Sequence, residues 1–146
     1  MRSPVTIFGG KGMMSKKLLA LIPEHFVYIE LCGGGASLLF KKQPSKIEIY
    51  NDVDENLVNF FRILQDEEKF KRFQRYVTLS LWSRKLYYEC KESYQIELDD
   101  VKKAYQFFVV MRQCFGGDMN GGWGFSKNLS RGKMGKSTSS YLSIIE

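Results

Sequence analysis

Three consecutive glycines, Gly33, Gly34 and Gly35, follow a β-prone run. An acid, Asp52, stands nineteen residues beyond the first of them, at the end of a second such run. Glycines in that place let the backbone turn sharply and let a ligand approach with no Cβ in the way. A carboxylate at Asp52 can accept hydrogen bonds from both hydroxyls of a ribose, which every adenosine-containing cofactor carries. A plain tight turn and a helix-start carboxylate account for the same residues, so spacing alone leaves both readings open. The dinucleotide fingerprint needs a third glycine for close helix–strand packing beneath a pyrophosphate, and here that position is Leu38. Gly10-Lys11-Gly12 lacks the upstream glycine and the following Ser or Thr of a P-loop. A cofactor with a ribose but no phosphate tolerates Leu38, and S-adenosylmethionine is one.

The elements that must position these residues follow from pattern. Phe26–Leu31 reads as a strand ending at the glycines, Ala36–Lys42 as a short helix, and Ile47–Tyr50 as a second strand by alternation. Tyr50 reads as an aromatic of the strand core. Asp54 is placed to cap a helix through Leu57, Phe60, Phe61 and Leu64. Strand, glycine turn, helix and strand form a βαβ unit with a parallel pair, and the crossover helix would offer free N–H groups to a ligand. A helix from Lys16 to Ile22, stopped at Pro23, precedes the unit. Beyond it come three helical patterns: Phe70, Phe73 and Val77; Trp82, Leu86 and Cys90; and Val101, Ala104, Tyr105, Phe108 and Met111, with Asp99 as a cap for the last. The bases among them, such as Lys85, Lys91 and Lys102, alternate with acids and read as a solvated face. This divides the chain into an α/β part (1–66), a helical part (67–115) and a Gly/Ser/Lys-rich loop and tail (116–146).

Composition bounds the rest. A chain of 146 residues, 44% apolar and 26% charged, fits one globular domain and excludes wholesale disorder or low-complexity scaffolds. The net charge is +6, and Lys127, Arg131, Lys133 and Lys136 contribute to it from a tail without acids between Met119 and Ile145. Such a surplus suits a polyanion. Cys32, Cys90 and Cys114 are odd in number and far apart, which argues for reduced, mostly buried thiols and against disulfides or structural zinc. His25 is the sole histidine, so no serine triad or histidine-based metal site can be assembled. Apolar runs such as Phe107–Met111 are too short to span a bilayer, and the first residues, with Arg2 but no apolar run after it, do not read as a secretory signal. A soluble, cytoplasmic protein is expected.

Three stretches, Phe8-Gly9-Gly10-Lys11, Tyr28 to Ala36 (Tyr-Ile-Glu-Leu-Cys-Gly-Gly-Gly-Ala) and Tyr50-Asn51-Asp52-Val53-Asp54, resemble consecutive motifs of the Dam-type, or D12-class, DNA adenine methyltransferases. Asn56 to Arg62 continues the likeness, closest to phage-type members, and Arg112 to Gly117 with Gly122-Trp123-Gly124 resembles the loop after the family's helical insertion. The resemblance spans roughly residues 4–126. It implies an α/β, Rossmann-like S-adenosylmethionine-dependent methyltransferase fold with a helical target-recognition insertion. By the same resemblance, Phe8, Gly9, Gly10, Lys11, Glu30, Gly33, Gly34, Gly35 and Asp52 would bind S-adenosylmethionine. Lys11, Arg112, Trp123, Lys127 and Arg131 would contact double-stranded DNA, although Trp123 could equally be tucked into the structure and the basic tail left disordered.

Two departures qualify what is carried over. Glu30-Leu31-Cys32 stands where the family usually has Glu-Pro-Phe, which would loosen the cofactor pocket. The family's catalytic Asp-Pro-Pro-Tyr is also missing, since Pro4, Pro23 and Pro44 are the only prolines and none adjoins another. No catalytic residue and no metal ligand can therefore be assigned. The expectation is the front portion of an adenine-N6 methyltransferase with an incomplete sheet, inactive alone. Either the reading frame is truncated or split, or a second polypeptide would complete the site, and the open sheet edge would favour self-association. A non-catalytic DNA-binding module or methyltransferase remnant is the alternative, and a nicotinamide-dependent fragment is disfavoured by Leu38.

Overall fold

The computed structural model describes residues 3–5, 7 and 9–124. Among them the element order is α1 (Ser15–Leu19), β1 (Val27–Glu30), β2 (Ile47–Tyr50), α2 (Glu55–Gln65), α3 (Glu67–Thr78), α4 (Arg84–Ser93) and α5 (Asp100–Gln113), then a short 3-10 turn at Phe115–Gly117. The two strands pair in parallel, with Val27 opposite Ile47 and Glu30 opposite Tyr50. The described residues thus form a small two-stranded parallel sheet with five helices, a mixed α/β arrangement.

Capping fixes where the helices start. Asp54 accepts from the Asn56 N–H at 3.0 Å, Asp66 from Lys69 at 3.0 Å, Ser83 from Leu86 at 3.3 Å and Asp99 from Lys102 at 2.7 Å. Each satisfies one of the N–H groups a first turn leaves without a partner. Two expected helices differ. The one expected over Lys16–Ile22 runs instead from Ser15 to Leu19, with Ala20 and Leu21 in a turn.

The helix expected over Ala36–Lys42 is a series of turns. Ala36 has φ 51°, a left-handed conformation that costs an L-residue about 1–2 kcal/mol and cannot begin a right-handed helix. The Leu39 N–H is captured by the Glu30 carboxylate, and only scattered bonds such as Phe40 N–H to Ala36 O keep helical spacing. The crossover therefore carries no regular helix N-terminus to offer a ligand.

α5 is the axis of the core. Val101, Ala104 and the whole run Phe107–Met111 are buried. α2, α3 and α4 all pack on it, so one apolar cluster joins Leu57, Phe60 and Ile63 with Phe73, Val77, Phe107 and Phe108. Phe60 is its hub, edge-on to Phe73 at 5.7 Å and stacked on Phe108 at 5.9 Å. Phe70, expected on the same inward face, is 38% exposed, and Trp82 precedes α4 rather than belonging to it. Gln113, fully buried, accepts from the Ser83 N–H and donates to Leu81 O, which ties the α3–α4 loop to the end of α5. All three cysteines are free. Cys32 is exposed, and burial pushes the thiol of Cys90 up to about 11.

The sheet is polar on the side that its own chain covers. Tyr28, Glu30 and Tyr50 face the crossover and α2, while Val27, Ile29, Ile47 and Ile49 on the other face are 42–50% exposed. All-parallel sheets normally have both faces covered.

Replacing Phe60 with Ala should cost about 3–5 kcal/mol of unfolding free energy, whereas Phe70→Ala should cost less than about 1 kcal/mol. Urea denaturation of the two variants checks this, and equal midpoints would contradict the placement of the core.

Candidate functional site

The turn after β1 is shaped around Tyr50. A Cβ on Gly33 would stand 2.3 Å from the Tyr50 Cε2, so only glycine permits the ring to lie there. The Tyr50 hydroxyl donates to Gly34 O at 2.7 Å, and its ring meets Phe61 edge-on at 5.0 Å. Tyr50 is thus a packed aromatic, as its place in the strand implied. Gly34 itself has φ 53°.

Asp52 clamps the same turn from the other side. Its Oδ2 accepts from the Gly34 N–H at 2.7 Å and its Oδ1 from the Asp54 N–H at 3.0 Å. The Gly33 N–H bonds to Asn51 O at 3.0 Å, continuing the β1–β2 ladder into the loops. Each carboxylate oxygen has two lone pairs, so both oxygens of Asp52 retain acceptor capacity beyond these bonds.

Glu30 is buried at the end of β1. Its Oε1 accepts from the Tyr28 hydroxyl and the Leu39 N–H, both at 2.9 Å, and its Oε2 accepts no hydrogen bond from the described residues. Burial and this bond push the Tyr28 phenol up to about 12. Burial also raises Tyr50, and the charges of Asp52 and Glu30 raise it further, in keeping with a carboxylate-rich surround.

A cavity of about 160 Å³ lies beside the glycine turn. Gly9, Gly10 and Lys11 form one wall, Glu30 and Gly33–Gly35 another, and Ile7, Cys32, Ser37 and Leu38 complete it. Seven of the residues expected around a cofactor therefore converge on one cavity. Asp52 lies outside the lining and reaches it through Gly34. Phe8 lies outside the described residues. Sequence reasoning missed Ser37, which carries no signal in spacing, and read Leu38 only as a missing glycine.

The residues expected to meet DNA are not gathered. Lys11 is exposed at the cavity, whereas Arg112 and Trp123 lie at and beyond the end of α5. Trp123 packs on the cluster of Tyr87, Cys90 and Val110, and its indole N–H donates to Gln113 Oε1 at 3.3 Å. A backbone bridge from Cys114 to Trp123 and the Lys91 ammonium on Asn120 O and Gly121 O hold that loop. Lys127 and Arg131 lie outside the described residues. His25, a loop residue, is half-buried, with one ring nitrogen on Pro23 O and the other on Ser45 Oγ, each at 2.7 Å. The described residues hold no group of three or more His, Cys, Asp or Glu that could take a metal, and none of their helices is long and apolar enough to cross a membrane.

The family model for D12 class N6 adenine-specific DNA methyltransferases matches residues 8–120, most of the chain. No curated protein matches the sequence.

Gly33→Ala should destabilise the protein by about 1–3 kcal/mol through overpacking against Tyr50. Restoring room with Gly33→Ala/Tyr50→Leu should recover part of that loss. Thermal melting reads both, and a Gly33→Ala midpoint equal to wild type would refute the contact.

Proposed function

The chain belongs to the D12 class N6 adenine-specific DNA methyltransferases, and from that premise we propose that it forms the S-adenosylmethionine-binding and DNA-contacting portion of such an enzyme, closest to phage-type members. The observation that carries this reading is the convergence of Gly9–Lys11, Glu30 and Gly33–Gly35 on one cavity, with Asp52 bonded to its glycine wall.

The residues fit the cofactor in chemistry. S-adenosylmethionine is cationic at its ammonium and sulfonium and carries two ribose hydroxyls. Glu30, buried with Oε2 unengaged by the described residues, would take the ammonium, and Gly33–Gly35 would leave room for the amino-acid end. Asp52 would accept from the ribose hydroxyls, and Phe8, Gly9, Gly10 and Lys11 would border the site. A volume of about 160 Å³ falls below the ~300 Å³ of small ligand clefts, so the cavity accounts for part of the molecule. When bound, the cofactor supplies a methyl group on a sulfonium. Lys11, Arg112, Trp123, Lys127 and Arg131 are the proposed contacts to double-stranded DNA in the cytoplasm, from which a target adenine would be flipped for methylation at N6.

The family's Asp-Pro-Pro-Tyr has no counterpart in these 146 residues. In our reading that motif is supplied from outside these residues, and the exposed sheet face of Val27, Ile29, Ile47 and Ile49 favours a partner surface or a second copy. Light scattering of the purified chain should then show species larger than a monomer, and a clean monomer would count against self-association.

Calorimetric titration with S-adenosylmethionine tests the cofactor reading. A micromolar dissociation constant, about −8 kcal/mol, is expected for the wild type and should be lost in Asp52→Ala. No binding at millimolar ligand would leave a DNA-binding module or remnant as the better description. The chain alone should transfer no methyl group to adenine-containing duplex, and measurable transfer would overturn that part.

A further inference from the structure

α3 carries two stripes at helical spacing. Phe73 and Val77 face the core, while Arg72, Arg75, Tyr76 and Leu79 recur at i, i+3, i+4 and i+7 on another side. With Tyr105 of α5, those four line a groove of about 370 Å³, more than twice the volume of the glycine-walled cavity and within the ~300–1,000 Å³ of ligand clefts. Tyr76 stacks on Tyr105 with centroids 5.1 Å apart and planes 23° from parallel, and the Tyr105 hydroxyl is hydrogen-bonded to Ser80 Oγ at 2.8 Å. The lower ring is thus anchored, while Tyr76 is 39% and Leu79 70% exposed.

The charges in the groove are unequal. Arg72 is engaged by Asp99 Oδ2 at 2.8 Å. Arg75 is exposed, and its guanidinium makes no hydrogen bond or ion pair with the described residues. None of the five lining residues is acidic. An exposed guanidinium offers a fork of donors that matches phosphate, and an exposed ring beside an apolar side chain offers a platform for a planar base. A base inside a duplex is stacked on its neighbours and cannot use that platform.

We propose that the α3–α5 groove binds a nucleotide of single-stranded DNA, its base stacked on Tyr76 beside Leu79 and its phosphate held by Arg75. The inference rests on the reading of the chain as a DNA-contacting protein and extends it to five residues outside the contacts assigned above. Sequence reasoning placed Tyr105 in the apolar pattern of α5 and gave the other four no role.

The test is fluorescence anisotropy of the full chain with a labelled homothymidine strand, measured beside a labelled duplex. Tyr76→Leu, which keeps apolar bulk but removes the ring, should weaken single-strand binding about tenfold, within the span of one base–aromatic stack. Arg75→Gln, on a side chain with no intramolecular partner among the described residues, should do the same without a change in melting temperature, and Tyr76→Phe should bind as wild type. A strand of abasic sites should bind the wild type about tenfold more weakly than homothymidine. Equal binding of homothymidine by wild type and Tyr76→Leu, or of the abasic and intact strands by wild type, would overturn the proposal. If the duplex still binds in that case, only the groove inference fails. If neither nucleic acid binds, the DNA-contacting reading falls with it.

Discussion

No side chain larger than a hydrogen fits between the turn that follows β1 and the ring of Tyr50. That contact joins the two halves of the described structure. Tyr50 holds Gly34 O through its hydroxyl and meets Phe61 of α2, Phe61 meets Phe60 at 5.6 Å, and Phe60 meets Phe73 edge-on and stacks on Phe108. A chain of aromatic contacts thus runs from the glycine turn to the centre of the helical core. Aromatic pairs in such edge and stacked arrangements contribute about 0.5–1.5 kcal/mol each beyond the area they bury. The position of the turn, and of the carboxylates around it, is therefore set by the packing of α2, α3 and α5.

What the sequence made legible were features with local causes. β2 was visible as Ile47–Tyr50 because alternation is the signature of a half-covered strand. The starts of α2 and α5 were visible because Asp54 and Asp99 have carboxylates that bind the first free N–H groups. The convergence of Gly9–Lys11 with Gly33–Gly35 was legible only through a family resemblance, since no local pattern links segments more than twenty residues apart. The failed helix over Ala36–Lys42 has a non-local cause. Glu30, on the preceding strand, removes the Leu39 N–H from helical bonding, and the backbone at Ala36 turns left-handed. Trp123 was undecided from sequence because its partner, Gln113, becomes a buried acceptor only after α5 has packed.

The pleat of the sheet argues in a different way. Period-two alternation marked Ile47–Tyr50, and the β-prone run Phe26–Leu31 contains the observed Val27–Glu30, yet neither pattern says which face turns inward. Here the polar positions Tyr28, Glu30 and Tyr50 turn toward the chain's own crossover and α2, where hydroxyl–carboxylate and hydroxyl–carbonyl bonds satisfy them. The apolar positions turn outward. A face of Val and Ile on a parallel pair gains nothing from water, and parallel sheets normally have both faces covered.

Electrostatics then separates two surfaces of opposite character on one small chain. Around the glycine turn the carboxylates are Glu30 and Asp52, which add to burial in making the Tyr50 phenol harder to ionise. Such a surround favours a cation and disfavours a phosphate, the opposite preference to a P-loop, and Lys11 sits exposed at its margin. Beside α3, Glu67 pairs with Lys71, while Asp100 and Asp99 at the start of α5 pair with Lys69 and Arg72, and Arg75 has no ion pair among the described residues. Exposed pairs of this kind contribute little to stability, about 0–1 kcal/mol each. Their consequence is local, an exposed Arg75 on α3, whereas at the glycine turn the carboxylates of Glu30 and Asp52 stand together. A single net charge of +6 conceals that division, because it sums two surfaces whose ligands would carry opposite signs.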